Sequence, residues 1–517
     1  MAEVSRKSVL ALTTETTRGT PVQPTAATDY TALQEDASMS PSFEELENAE
    51  LSNSISQKKT ILGLERPEMS FSHYMRHSGV EGTAPDYNLL LKALFGTENI
   101  ASTEYNTVAG ATAGTSTARA TIDVDSGEGA TFQRGEALLI KDAANGYSVR
   151  NIYSISTDTL TLGFNLASAP GAAVNLGKAV LYAPGTDDSN FPALTGWMYN
   201  GNGAAVQMIS GLRTTDMSIG INAGELINGS FTLQGLEYYF NPLTVTSSNK
   251  YLNLTDDAGT VTLTLTEGTY KDPNSLAAHI QTVGAAAVAA SGGDDFLCTY
   301  SSSTGKFTIS TTTGTLLSLL WKTGANGSDT ADNHFGTLLG FSDTADDTGA
   351  TSYTSDSAVS WASPYTPNYD DENPPVAKDI EVMWGDYDEY TCKTASSVTI
   401  NVSNEQADVN SLCATSGRSD TVFNRRTVTV DTTVLLSRNE VDTFTRYREG
   451  TSIPFACNWG RKSGTNWVAG SVGNFYIPDA TITSFNVADE GGLIVLNLSL
   501  RAYLGDDQTQ EAFLNFL

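Results

Sequence analysis

The chain has 517 residues and a formal charge of -30, from 59 acidic and 29 basic side chains. That balance excludes wrapping of nucleic acid and binding to anionic membranes, which both need basic surfaces. With 40% hydrophobic and 17% charged residues, the composition fits a Thr/Ser/Gly-rich β protein of roughly two to four domains, not a disordered chain or a helical enzyme.

Met1–Ala11 has too short an apolar run for a secretory signal, and no later stretch reaches membrane-span length. Assembly in a cytoplasm is therefore expected. Residues 1–35 are Thr/Pro-rich with few apolar anchors and read as an extended arm, ordered by packing on something else. Met39–Phe43 reads as a strand, and the acidic, then small and polar Glu44–Lys59 as a projecting hairpin loop. Met69, Phe71, His73 and Met75 alternate with Ser70, Ser72, Tyr74 and Arg76, the period of a half-buried strand. A helix is expected over Asp86–Phe95. Asp86 is its N-cap, Tyr87, Leu90, Leu91 and Leu94 form its stripe, and Gly96 stops it.

Residues 104–185 predict a small barrel, with short strands at Ala137–Ile140, Ser148–Ile155, Thr159–Phe164 and Ala179–Tyr182. A hairpin is expected over Met217–Tyr239. The stretch 244–365 predicts a strand at Val261–Leu265, a helix at Asn274–Ala290 and a hairpin around Ser303–Gly305. Its acidic residues outnumber its lysines, so it should be well solvated. The first script then returns: strand Val398–Val402, loop Asn404–Arg426, strand Thr427–Leu436 and helix Asn439–Glu449. That helix has a Ser437/Glu440 capping box, a Val441, Phe444, Tyr447 stripe and a stop at Gly450. A hairpin over Thr481–Tyr503, turning at Ala488–Gly492, closes it.

Strand, polar loop, strand, short helix and closing hairpin thus occur twice. The expected fold is mainly β. It comprises two tandem β-sandwich/barrel modules, each with a short flanking helix, and two inserted small β-rich domains. The first module is 1–103 with 186–243, and the inserted barrel is 104–185. An α+β surface domain is 244–365, and the second module is 366–517.

Candidate chemistry is sparse. Cys298, Cys392, Cys413 and Cys457 show no metal-site spacing and read as buried, reduced thiols. His73 and His77 lack the glutamate of HExxH and read as one core and one surface residue; His279 and His334 stand alone. Asp123-x-Asp125-x-Gly127-Glu128 is a calcium-loop fragment without the remaining ligands. Asp386, Asp388 and Glu389 form a carboxylate group with no inferred cleft. Gly196–Gly203 lacks the Lys-Ser/Thr of a phosphate loop. No catalytic, cofactor-binding or metal-binding residue is expected, and no cofactor.

Several stretches resemble one family. They are LALTTETTRGTPV, SFEELENAE, MSFSHYMR with DYNLLLKALFG, MSIGINAGELINGSFTLQGLEYY and ITSFNVADEGGLIVLNLSLRAY. All are similar to pieces of siphophage tail tube (major tail) proteins. The resemblance implies a non-enzymatic subunit of a long non-contractile tail. Such subunits form stacked rings whose inner strands join into a continuous barrel, and DNA passes through without specific binding. For a doubled chain it implies trimeric, pseudo-hexameric rings. It also implies the tape measure, tail terminator and distal tail proteins as partners, and location in the virion after assembly in the host cytoplasm, with no membrane contact. Inter-subunit and inter-ring candidates are Arg18, Glu44, Glu45, Glu47, Lys58, Lys59, Arg418, Arg425 and Arg426. The alternative is a fibre, baseplate or decoration protein that binds a host surface or glycan through 244–365.

Overall fold

Alternation of apolar with hydroxyl and amide side chains writes 48% of this chain as strand, and the protein is mainly β. The computed structural model describes every residue except 1–4, 52–54, 102, 109, 202, 294, 362–363, 371, 388–392, 437–440 and 506–509. The chain forms two compact units. One is Met1–Ala11, Gly196–Ser210 and Glu237–Thr366; the other is Leu12–Thr195, Gly211–Leu236 and Pro367–Leu517.

The first unit is an α+β body. Its helix Pro273–Ser291 starts on Asp272, whose side chain accepts from Ser275 N, and ends on Gly292 at φ 80, the usual N-cap and left-handed C-terminal glycine. Leu276, Ile280 and Val288 join Phe296, Phe307 and Trp321 in its core. Gly284 lies so close to the Phe296 ring that any Cβ would collide with it. The helix expected over Asn274–Ala290 is therefore one residue longer at each end.

The second unit contains eight strands that form one continuous antiparallel run. The first four are β1 (Ser38–Ser40), β2 (Glu68–Tyr74), β3 (Ala205–Asn222, here from Gly211) and β4 (Asn228–Gln234). The next four are β5 (Ala395–Asn410), β6 (Arg418–Leu435), β7 (Asn466–Glu490) and β8 (Leu493–Ala502). Pairing runs β1-β2-β4-β3 in the first four and β5-β6-β8-β7 in the second. β3 then pairs with β5, from Asp216↔Ser403 to Asn222↔Ser397, and joins the two sets.

The registers repeat as well. Met39↔Met69 and Met69↔Leu233 in the first set match Ile400↔Val430 and Val430↔Leu500 in the second. β3 is bulged between Thr214 and Asp216 against β4, and β7 between Ile482 and Ser484 against β8. The extra residue is a threonine both times.

A short helix follows the second strand of each set: α1 (Asn88–Phe95) and α2 (Val441–Glu449). The residues of the expected capping box, Ser437 and Glu440, lie outside the described residues. One face of the run is apolar and buried, through Met69, Phe71, Met217, Ile219, Ile400, Val430, Leu498 and Leu500. Further strands of the unit, including the wholly buried Phe513–Phe516, pair with the first part of β7. The stretch 104–185 contains a six-stranded antiparallel sheet around Ile122, Leu138, Ile140, Ile152, Leu160 and Leu162.

Several expectations change. Asn404–Arg426 is not a loop: β5 and β6 run through it and turn only between Asn410 and Arg418. The residues read as an N-terminal arm include a strand, Val9–Thr14, with Leu10, Ala11 and Leu12 buried. The turn expected at Ala488–Gly492 contracts to Gly491–Gly492, because the strands pair as far as Glu490↔Leu493. His77 is buried like His73. Cys298 and Cys457 are buried, but Cys413 is exposed at the tip of the β5–β6 hairpin. Cys392 lies outside the described residues.

Candidate assembly surface

The β3–β5 seam is held by more than its backbone ladder. Ser218 Oγ donates to Asn401 Oδ1 at 2.7 Å across it. Asn404, near the middle of β5, donates through Nδ2 to the Leu94 carbonyl of α1 at 2.9 Å, and accepts at Oδ1 from Arg426 Nε at 2.9 Å. The helix of the first set is thus pinned to the first strand of the second. β7 occupies the place in the second set that β3 occupies in the first. Among the described residues, its stretch Thr481–Glu490 pairs with β8 alone. Its outer edge is open, and Val487 there is 49% exposed. Open edges are templates for another strand.

The solvent face of the run is a field of small polar side chains. Ser38 and Ser70 bond each other at 2.9 Å, Thr433 Oγ1 donates to Asn497 Oδ1 at 2.8 Å, and Ser499 Oγ donates to Asp431 Oδ1 at 2.6 Å. Such cross-strand bonds hold hydroxyls and amides flat along the sheet.

The charged contact candidates divide in two. Arg18 is turned inward: it binds Asp420 and the Thr421 carbonyl and hydroxyl, and burial lowers its pKa to about 10. Arg418 is buried and donates to the carbonyls of Glu65 (3.0 Å) and Gly235 (2.6 Å) and to Asp408 Oδ1 (2.8 Å). Arg426 pairs with Glu511 at 3.3 Å, and burial lowers its pKa too. These three guanidinium groups are occupied within the unit. Arg425 is exposed and pairs with Glu405 at 3.1 Å.

Glu44, Glu45, Glu47, Lys58 and Lys59 belong to the projecting hairpin Phe43–Leu46/Ile61–Glu65. Glu47 accepts from Gln57, and Lys58 binds Glu50 at 2.5 Å. Glu44, Glu45 and Lys59 are exposed. The hairpin also exposes Leu46, Ile61 and Leu62, with Leu51 at 98% and Ile55 at 107% near its tip. A two-stranded ribbon with this much bare aliphatic surface is marginal alone in water.

The polar clusters have local explanations. Glu128 Oε2 accepts from Asp125 N within a turn, and Asp123 accepts from Thr159 Oγ1 across a strand pair, so the calcium-loop fragment is used locally. Asp386 pairs with Arg446 at 2.5 Å; Asp388 and Glu389 lie outside the described residues. Asp332, His334 and Asp343 bring three ligand atoms within 4.8 Å of one another. Gly336 N, however, donates to His334 Nδ1 at 3.1 Å. The ring proton therefore sits on Nε2, which offers no lone pair to a cation. An open cleft of about 700 Å³ includes Asp188, Phe191, Phe423, Arg425, Arg426 and Glu511. Of its carboxylates, Asp188 and Glu511 are bound by Arg213 and Arg426, and Asp187 accepts from Ser189 N.

Of the side chains that hold the seam, Arg426 was among the contact candidates, but Ser218, Asn401 and Asn404 were not. A signal was present: Thr-Asp-Met-Ser at 215–218 and Thr-Ser-Phe-Asn at 483–486 follow the same bulge position. Among the described residues, no helix is long and apolar enough to cross a membrane. No protein-family model matches the chain, and no curated protein matches it.

Proposed function

We propose that the chain is the tube-forming subunit of a long non-contractile phage tail, with three copies closing each ring around a channel for DNA. One observation carries this reading. The chain contains one complete joint between two four-stranded sets, β3 with β5, and an open edge on β7 where the next joint would fall. The strand that would stand to β7 as β5 stands to β3 is β1 of another copy.

A joint that uses different edges on its two sides is head-to-tail, and such contacts close into rings when the rotation permits. Closure removes the aggregation hazard of an open edge. Each chain then supplies two of six quasi-equivalent positions. The hydroxyl- and amide-covered face fits a channel wall, because it offers few cations to hold phosphates.

Electron micrographs of purified protein, with native mass measurement of the smallest closed species, test this. Rings or tubes built from multiples of three chains are expected. A monomer that persists at high concentration sinks the proposal, and six chains per ring removes the trimeric closure.

A further inference from the structure

Resting on that ring reading, we propose that α2 is the seat for the Phe43–Glu45 segment of the next copy. The contact copies the one that α1 makes with β5 inside a single chain.

The two helices can be matched from their ends. α1 stops at Gly96 (φ 98) and α2 at Gly450 (φ 65), both at positive φ, where a terminal glycine is favoured. Counting back, Leu94 corresponds to Arg448 and Leu90 to Phe444. The Leu94 carbonyl receives Asn404. The residue that matches Asn404 in the first set is Phe43, since Asn404↔Arg426 and Phe43↔Glu65 are the same register position, four residues from Ile400↔Val430 and Met39↔Met69. Phe43 of a neighbouring copy would therefore reach the last turn of α2.

The two surfaces suit each other. Leu90, Leu91 and Leu94 of α1 are wholly buried, whereas Phe444 and Tyr447 of α2 stay 46% and 39% exposed. Both rings lie against Phe485, at 5.4 and 6.1 Å. Phe43 is itself 41% exposed. The last turn of α2 has Arg446 and Arg448, and Arg448 meets the adjacent Glu449 at 3.3 Å in the open. Glu44 and Glu45 follow Phe43 and are exposed. Arg446 is held by Asp386, so an aromatic contact edged by Arg448 on one side and glutamates on the other is complementary in shape class and charge.

Cross-linking tests the contact directly. Phe43→Cys and Arg448→Cys are introduced together in a Cys413→Ser background, and assembled protein is treated with a short bis-maleimide. Chain-to-chain products ending at covalent trimers are expected, absent from either single substitution. If micrographs show normal rings but the double variant links no better than the singles, the seat is overturned and the ring reading stands. If the unsubstituted chain forms no rings, both fall.

As a second measurement, Phe444→Asp should raise the concentration needed for half-assembly by about tenfold or more. The unfolding midpoint of the single chain should fall only slightly, by the loss of the Phe444 packing on Phe485. Normal assembly of that variant also overturns the seat.

Discussion

Thr215 and Thr483 make the same hydrogen bond from the same kind of bulge. Thr215 Oγ1 donates to the Thr232 carbonyl at 3.0 Å, and Thr483 Oγ1 to the Ser499 carbonyl at 3.1 Å. Each is the extra residue where one strand slips past its partner, and each hydroxyl binds a carbonyl of the opposing strand. Bulges re-aim a strand and raise its local twist. A shared bulge therefore gives both hairpins the same bend. Thr215→Val and Thr483→Val should each cost about 0.5–1.5 kcal/mol, read from urea midpoints. The larger loss is expected at Thr215, which is buried, and the smaller at Thr483, which is exposed.

The open edge of β7 gives a second expectation. Val487→Lys places a charge where edge strands are commonly protected against pairing. Ring formation should be abolished in sedimentation. Stability of the single chain should change by no more than about 0.5 kcal/mol, as for other exposed positions. Rings that form as before would exclude this edge as a joint.

Arg418 is expected to act within one chain. Two of its bonds tie the β5–β6 hairpin to Glu65 and Gly235, and the third joins β6 to Asp408 of β5. Arg418→Ala leaves two carbonyls without a donor, while Asp408 keeps Arg66 at 2.9 Å, and should cost about 2–4 kcal/mol. Arg418→Lys should recover only part of that, because an ammonium lacks the forked geometry. Denaturant titration of both variants checks the order.

The Asn474 amide is fully used. It donates to Asn151 Oδ1 (2.9 Å) and Asn458 Oδ1 (2.6 Å) and accepts from Asn151 (2.7 Å) and Asn515 (3.0 Å). Asn458, Asn474 and Asn515 have no exposed surface. Asn474→Leu strands its partners and should cost about 2–4 kcal/mol. Thermal unfolding should show that loss without any change in the assembly products of chains that remain folded.

Asp86 gives a pH dependence opposite in sign to the usual carboxylate. Burial, and then the Asp370 charge, raise it to about 6; His73 Nε2 lies 3.6 Å away and Arg76 is nearby. The folded state holds this proton more tightly than the unfolded chain, whose value is about 3.9. The Asp86 contribution therefore improves as pH falls from above 6 toward 4. Asp86→Asn, which mimics the protonated acid, should stabilise at pH 8 by about 1–3 kcal/mol. That advantage should fade by pH 4, as denaturant midpoints across this range will show. His73 and His77, lowered by burial to about 4 and about 3, act the other way. Their contribution is present above about 6.5 and lost as pH falls toward those values.

The sequence by itself determined the local script. Period-two stretches such as Met69–Tyr74 and Val428–Val434 became strands because alternate side chains face opposite sides of a sheet. Leu90, Leu91 and Leu94 with Gly96 made a short, stopped helix by the same kind of local rule. Tertiary structure decided which strands meet. Ser218 and Asn401 pair across 183 positions of chain, and no local period encodes a distant partner. Hydrophobic patterning also could not show that Arg418 is buried while Phe444 and Val487 are exposed. Those outcomes depend on which groups the folded chain brings alongside: carbonyls and a carboxylate around Arg418, and, among the described residues, no further strand beside Val487.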